Sequence, residues 1–182
     1  MGKLNMGEIL EKKSLLKSDR LEVISAKAKL DNGNLVDFSY TKFPTTVSVV
    51  PLDENNNTYL CKEWRVAWER HIIQIPAGVC ENKEDEDNPR IRAEKELAEE
   101  IGMKAGNFEK LATTAVSANS NGIHHIFLAT NLSKAESKPD DNEIIEVIKM
   151  PINKAYQMFL DGELTTAYTI LGLKLAKEKL NI

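Results

Sequence analysis

Apolar and polar positions alternate near the start of the chain in a pattern that is typical of strands. Residues 8–16 and 20–29 both mix apolar with charged side chains, and the second stretch alternates between them. Asn32-Gly33 follows, a dipeptide that favours the tight turn of a β-hairpin, and the alternation resumes between Leu35 and Tyr40. The pattern predicts a small antiparallel sheet in residues 1–43. Because such a sheet has little core of its own, we expect it to pack against another surface.

After Phe43-Pro44 the pattern changes to buried strands interspersed with amphipathic helices. Apolar runs predict strands at 46–52, 58–64, 108–116, 123–129 and 143–147, and helical spacing predicts helices at 88–102, 152–160 and 165–180. The polar stretch from Asn131 to Asn142 predicts a mobile loop. Residues 44–182 are therefore expected to form one α/β domain.

The helix at residues 88–102 carries signals at both of its ends. Asn88 can cap the helix, because its side-chain oxygen can accept a free backbone N–H of the first turn. Pro89 suits the first helical position, where its missing N–H costs nothing. Gly102 can adopt the left-handed conformation just past the last turn. These signals predict a helix with well-defined ends.

Three carboxylates share one side of this helix. Ala93, Leu97 and Ile101 form an apolar stripe, and beside it lie the carboxylates Glu96, Glu99 and Glu100. Like charges at i and i+4 destabilise a bare helix by roughly 0.2–0.5 kcal/mol per pair. Converging carboxylate oxygens suit a hard cation such as Mg²⁺, although the same pattern also fits a solvated acidic face.

Composition and charge exclude several classes of partner. The chain has 182 residues and a net charge of −4, with no basic patch for a nucleic-acid backbone. We expect no membrane association, because there is neither an apolar run of membrane-spanning length nor a signal-peptide core at the N-terminus. Two cysteines do not make a secreted disulfide framework. The expected compartment is the reducing cytoplasm.

Ala77-Gly78 and the run from Lys95 to Met103, KELAEEIGM, resemble the Nudix box, G-x5-E-x7-R-E-U-x-E-E-x-G-U with U aliphatic. Two departures stand out. The box arginine is Lys95 here, and Gly78 lies 17 residues before Lys95, three more than in the family pattern. Counting back from Lys95 puts the first glutamate of the box on Asp87, with the insertion within residues 79–86.

The resemblance implies a Nudix-type α/β/α sandwich with a mixed sheet, preceded by the small N-terminal antiparallel sheet. It implies that Glu96, Glu99, Glu100 and the carbonyl of Ala77 bind Mg²⁺ or Mn²⁺ for catalysis. Further along the chain, the strand from Ile123, closing with Phe127-Leu128-Ala129, and the C-terminal helix pair resemble the ADP-ribose pyrophosphatase branch of the family. In that branch the N-terminal sheet commonly reaches over a partner subunit, so a homodimer is expected.

Other elements of that branch identify further site residues. Glu63-Trp64-Arg65 resembles a QYR-like element whose arginine faces the substrate, and these three residues are expected to bind substrate. The general base is expected on the loop before the strand at 143–147, with Glu143 as the first candidate and Asp141 as the second. The loop at 117–122 lacks the glutamate that can contact a terminal ribose in this branch.

The resemblance implies hydrolysis of nucleoside diphosphate sugars, such as ADP-ribose, to a nucleoside monophosphate and a sugar phosphate. Two alternatives remain open. One is another Nudix pyrophosphohydrolase activity, on dinucleotide polyphosphates, nucleoside triphosphates or RNA caps. The other is a Nudix module that binds a ligand without catalysis, which Lys95 and the lengthened loop of the box would fit.

Overall fold

The computed structural model describes residues 7–136 and 144–182, which divide into two compact units. The first unit contains an antiparallel sheet in the order β1-β2-β3. Its strands are β1 (Glu8–Lys17), β2 (Glu22–Lys29) and β3 (Leu35–Lys42). Gly33 donates its backbone N–H to the carbonyl of Leu30 in the turn between β2 and β3. The N-terminal sheet expected from the alternating pattern is therefore present.

The first unit also includes a second segment of the chain, Ala115–Ile123, in addition to the residues up to Pro44. Thr41 donates its backbone N–H to the carbonyl of Asn119 at 2.9 Å, and Asn121 donates to the carbonyl of Thr41 at 3.2 Å. The Asn121 side chain accepts a hydrogen bond from the backbone of Phe43 at 3.1 Å. The unit is thus discontinuous in sequence, which a division into residues 1–43 and 44–182 does not describe.

The second unit spans Thr45–Thr114 and His124–Ile182. Its strands and helices alternate as the sequence predicts. In chain order the elements are β4 (Thr46–Pro51), β5 (Asn57–Arg65), a 3-10 turn (Val66–Trp68), β6 (Arg70–Gln74), β7 (Ala77–Val79), α1 (Lys83–Asp87), α2 (Pro89–Ile101), β8 (Met103–Ala115), β9 (Ile123–Lys134), β10 (Glu146–Pro151), α3 (Ile152–Leu160) and α4 (Ala167–Leu180).

Two sheets form the middle layer of this unit. One has the order β7-β4-β9-β8 and is mixed, since β4 runs parallel to β9 and antiparallel to β7. The other has the order β10-β5-β6 and is antiparallel. Among the described residues, no helix is both long and apolar enough to cross a membrane.

Alternate residues of β4 pack against helices on opposite faces of the sheet. Val47 and Val49 lie in one apolar cluster with Leu97 of α2. Val50 lies in a second cluster with Leu173 of α4. Since successive side chains of a strand point to opposite faces, one helical layer covers each side. The prediction of an α/β/α sandwich is confirmed.

The two ends of α2 differ in how well the sequence predicts them. Pro89 is the first helical residue, and Gly102 has φ = 67° and donates its N–H to the carbonyl of Ala98. The expected side-chain cap by Asn88 is wrong, because within the described residues its side chain makes no capping bond to α2. Asn88 also ends α1, where its backbone N–H bonds to the carbonyl of Glu84.

The polar stretch from Asn131 contains more regular structure than its composition suggests. β9 continues through Asn131, which has a positive φ of 57°, and ends at Lys134. The prediction of a loop is therefore wrong for residues 131–134, where pairing in the sheet outweighs local composition. Residues 137–142 of that stretch lie outside the described residues.

Candidate active site

Helix α2 carries Glu96 and Glu100 on its inner side, one turn apart, with Glu99 at its margin. Both Glu96 and Glu100 are buried, at 3% and 7% exposure, whereas the side chain of Glu99 is 35% exposed. Carboxylates are rarely buried unless they are paired or coordinate a metal. At Glu96 and Glu100 the acidic side of α2 is therefore not a solvated face, and both of these carboxylates lie next to β7.

Strand β7 meets the carboxylates through its backbone. Ala77 donates its N–H to Oε2 of Glu100 at 3.1 Å. Alternate residues of this segment bond to β4, since Val49 donates to the carbonyl of Pro76 and Cys80 donates to the carbonyl of Thr45, and Ala77 lies between such positions. In an antiparallel ladder, the intervening residue directs both its N–H and its C=O away from the paired strand. The Ala77 carbonyl therefore lies on the same side as the carboxylates.

Gly78 leaves space that Glu96 occupies. A Cβ atom on Gly78 would lie 1.4 Å from Oε1 and 2.2 Å from Cδ of Glu96. Such distances are far below any van der Waals contact, so no larger residue fits while Glu96 keeps its place. The Gly of the box thus serves the close approach of strand and helix.

The electrostatics of the site favour a cation. Burial first, and then the charges of Glu96 and Glu63, raise the pKa of the Glu100 carboxyl to about 8, against hydrogen bonds from Cys61 and Ala77. The Cys61 thiol lies 3.4 Å from Oε2 of Glu100. Burial and the adjacent Glu100 raise the pKa of this thiol as well. Both groups would ionise more readily beside a positive charge.

Arg92 brings a positive charge to two of the helix carboxylates, Glu96 and Glu99, and the sequence patterns did not identify it. Its guanidinium forms an ion pair with Glu96, and its Nη1 lies 3.5 Å from Oε2 of Glu99. The side chain is 12% exposed. Its spacing of four residues before Glu96 and seven before Glu99 was a usable signal, because both positions share its side of the helix.

The acidic partner of Lys95 is Asp85, which differs from the residue obtained by counting along the box. Nζ of Lys95 lies 3.1 Å from Oδ1 of Asp85, which is fully buried. Asp87 is instead exposed and pairs with Lys83 at 2.9 Å. The assignment to Asp87 is wrong because part of the insertion lies between the acid and Lys95, where α1 ends and α2 begins.

Arg65 and Glu63 lie on one face of β5 and form an ion pair. Gln74 donates to Oε1 of Glu63 at 2.6 Å, and the hydroxyl of Tyr168 donates to Gln74. Gln74 is fully buried. This network connects β5, β6 and α4 and fixes the position of the Glu63 carboxylate. Sequence patterns identified Glu63 and Arg65 but could not reveal the bond of Tyr168 to Gln74, because these two residues are 94 positions apart.

Of the remaining predicted site residues, Trp64 is the one that the described part of the chain includes. Trp64 points to the opposite face of β5 from Glu63 and Arg65, as alternation along a strand requires. It is 53% exposed and makes an edge-to-face contact with His71, with 5.5 Å between ring centroids. Asp141 and Glu143 fall outside the described residues, so the choice of general base stays a prediction.

The donor set fits a hard divalent cation. Glu96, Glu99 and Glu100 offer carboxylate oxygens, which Mg²⁺ prefers, and the pKa of Glu100 is raised by burial and then by the charge of Glu96. Within residues 7–136 and 144–182, no three acidic, histidine or cysteine side chains stand in a metal-binding geometry. In the arrangement described, Glu96 and Glu99 are paired with Arg92 instead.

Comparison with known proteins identifies the class to which this site belongs. Residues 42–169 match the family described as the NUDIX domain, so the chain belongs to the Nudix family. The expectation of a Nudix pyrophosphohydrolase, based on the box residues, is thereby confirmed.

Individual relatives resemble the chain over most of its length. The ADP-ribose pyrophosphatase of Bacillus subtilis (strain 168) is 30% identical over 172 residues, which cover 91% of each chain. A protein of Bacillus methanolicus named methanol dehydrogenase activator is 26% identical over 177 residues, covering 96% of this chain and 94% of the relative. The GDP-mannose pyrophosphatase of Klebsiella pneumoniae is 30% identical over 126 residues, covering 63% and 61%.

A solved structure described as an ADP compounds hydrolase superposes with a TM-score of 0.86. The match covers 100% of this chain and 97% of the other, at 20% sequence identity. At that identity the similarity establishes the fold. It extends over the N-terminal sheet as well as the sandwich.

Proposed function

We propose that this protein hydrolyses the pyrophosphate bond of nucleoside diphosphate sugars, including ADP-ribose-like compounds, with the help of a divalent metal. The products are a nucleoside monophosphate and a sugar phosphate. The observation that carries the proposal is the burial of Glu96 and Glu100 against the Ala77-Gly78 strand. Relatives named ADP-ribose pyrophosphatase and GDP-mannose pyrophosphatase support this substrate class.

The residues of the site have separable roles in this reaction. Glu96, Glu99, Glu100 and the Ala77 carbonyl would hold Mg²⁺ or Mn²⁺, which lowers the pKa of an attacking water and neutralises charge on the phosphoryl oxygens. Because Glu100 has a raised pKa, it would hold its proton near neutral pH in the metal-free protein and would release it to solvent as a metal ligand. Arg65, oriented by Glu63, supplies a guanidinium suited to the diphosphate.

Two other roles are less well supported. Hydrolysis of triphosphates, dinucleotide polyphosphates or RNA caps would use the same carboxylates, but the relatives named above that span most of the chain include an ADP-ribose pyrophosphatase. The acidic net charge of −4 also disfavours RNA. A binding module without catalysis would not need the buried carboxylates, because buried charges of one sign lower stability.

The assay that tests the proposal uses a panel of nucleoside diphosphate sugars with product identification, with and without EDTA. We expect Mg²⁺-dependent release of a nucleoside monophosphate and a sugar phosphate from several of them. Because the 117–122 loop lacks a glutamate for a terminal ribose, kcat/KM values should lie within roughly two orders of magnitude.

Other outcomes separate the alternatives. A roughly thousandfold preference for one sugar would contradict the expected breadth, since that degree of selection requires buried polar groups that the wrong substrate leaves unpaired. Activity confined to triphosphates, dinucleotides or capped RNA would favour another Nudix pyrophosphohydrolase activity. Binding of nucleotide sugars without turnover would favour a binding module without catalysis.

We further propose that the chain forms a homodimer through its N-terminal sheet. β1 is exposed along its whole length, with Ile9 at 52% and Leu16 at 54% exposure. Exposed apolar clusters of this kind mark interaction sites. Light scattering is expected to give twice the chain mass of 20.4 kDa, and Leu16→Glu should lower it. A monomer at all concentrations tested would contradict this.

Both cysteines are free thiols, which supports the cytoplasm as the proposed compartment.

A further inference from the structure

Arg92 lies between three carboxylates at the centre of the candidate site. It is paired with Glu96, and its Nη1 is 3.5 Å from Oε2 of Glu99 and 3.7 Å from Oε2 of Glu81. Glu96 is only 4% exposed in its side chain, whereas Glu81 is 61% exposed. A single guanidinium thus lies beside a deeply buried acid (Glu96), an acid at the margin of the site (Glu99) and a surface acid (Glu81).

The charge of Arg92 makes the burial of Glu96 tolerable in the metal-free protein. Removing a carboxylate from water is costly unless an opposite charge accompanies it. The cation that would otherwise fulfil this role is the divalent metal, and Glu96 and Glu99 are two of its proposed ligands. Arg92 and the metal therefore compete for the same two carboxylates.

The guanidinium is held in place by charge more than by complete hydrogen bonding. Its Nε is buried and makes no hydrogen bond with any described residue. An arginine built as a permanent structural link commonly uses its planar fork of donors more fully. The incomplete bonding of Arg92 lowers the cost of moving its end group, and Glu81 offers an exposed acceptor close by.

We propose that Arg92 is a built-in counter-ion that a divalent metal replaces on Glu96 and Glu99, while its guanidinium passes to Glu81. Metal binding is then an exchange of one cation for another. No covalent bond changes, and the displaced charge stays paired. This inference rests on the metal site of the proposed function, and it assigns to Arg92 a role in setting metal affinity.

The test measures Mn²⁺ affinity of the full chain by the electron paramagnetic resonance signal of free Mn²⁺, without substrate. Arg92→Gln is expected to bind Mn²⁺ about tenfold more tightly, because the competing cation is gone. The matched control is Arg90→Gln on the same helix. Arg90 is exposed and pairs with Glu94 at 2.6 Å, so its removal should change the affinity much less.

Variants of Glu81 distinguish replacement of Arg92 by the metal from a general effect of charge on Mn²⁺ affinity. Glu81→Gln should weaken Mn²⁺ binding about threefold, because Arg92 loses its alternative partner. Glu86→Gln removes an exposed acid of the same segment and serves as the control. In the Arg92→Gln background, Glu81→Gln should have no further effect, since residues that act through one interaction are not additive.

Several outcomes would overturn the inference. One is a folded Arg92→Gln variant that binds Mn²⁺ no more tightly than the unchanged protein. Another is an equal effect of Glu81→Gln with and without Arg92. If Arg92→Gln does not fold, Arg92→Lys keeps the charge on a shorter side chain and should increase the Mn²⁺ affinity by a smaller factor. An unchanged Mn²⁺ affinity of Arg92→Lys would equally contradict the exchange. If the unchanged protein binds no Mn²⁺, the proposed metal site itself is refuted.

Discussion

Glu100→Gln and Glu96→Gln are each expected to reduce hydrolysis of a nucleoside diphosphate sugar by at least about a hundredfold, with the fold preserved. Substitution of groups that merely orient metal ligands already costs roughly 10- to 100-fold, and these two carboxylates are proposed as ligands themselves. The shape of glutamine matches that of glutamate. Its side-chain oxygen can still accept the N–H of Ala77 that now reaches Glu100 at 3.1 Å.

The stability of the Glu100 variant supplies a second, independent measurement. The pKa of Glu100 is raised to about 8, by burial first and then by Glu96, whereas an unfolded glutamate titrates near about 4.3. Between these pH values the folded state holds a proton that the unfolded state has lost. Since stability falls with pH where the folded state binds more protons, this group costs stability as pH rises from about 4.3 towards 8.

In the metal-free state, Glu100→Gln should therefore weaken the decline of melting temperature between pH 5 and pH 8 relative to the unchanged protein. Glu99→Gln, on a side chain that is 35% exposed, is the control and should leave that decline in place. Full activity of Glu96→Gln or Glu100→Gln at limiting metal would contradict the assignment of the box carboxylates.

Gly78→Ala is expected to abolish metal binding at ordinary concentrations and to lower activity at least as much as Glu96→Gln. The added methyl group would lie 1.4 Å from Oε1 of Glu96 and 3.0 Å from its Cγ. Glu96 must then leave its place, or β7 must move and break its pairing with Val47. Overpacking of this kind typically costs about 1–3 kcal/mol of stability.

The control for this prediction is Gly106→Ala. A Cβ atom there would also approach another side chain, at 2.4 Å from Nδ2 of Asn131. Asn131 is exposed, so its amide can rotate away, and the variant should keep its metal affinity. Mn²⁺ titration and thermal melting of both variants test this prediction. Normal Mn²⁺ affinity in Gly78→Ala would show that Glu96 does not need the space beside Gly78.

Local patterns predict most of α2 and its carboxylates. Pro89 and Gly102 define its ends through backbone constraints that operate within one residue, and Leu97 and Glu96 take their sides from helical spacing. The layered fold follows similarly from alternation along β4. These features depend on near neighbours in sequence, so the chain reveals them without knowledge of tertiary contacts.

Features that depend on distant or shared contacts escape such patterns. Asn88 matches the preferences of a helix cap, but it also terminates the preceding helix, which fixes its backbone in another way. Counting along the box cannot locate an insertion, so it assigns Asp87 where Asp85 lies. Likewise, the bond between Tyr168 and Gln74 joins elements that only the folded chain brings together.

The discontinuity of the N-terminal unit limits how this protein can be divided or recombined. Ala115–Ile123 belongs to that unit but arises between β8 and β9 of the other. A cut after Pro44 would leave Asn119 and Asn121 on one fragment and their partner Thr41 on the other. The N-terminal unit therefore cannot be exchanged between proteins as one continuous segment of chain. A chimera that borrows the N-terminal sheet from a relative would have to borrow the β8–β9 connection as well.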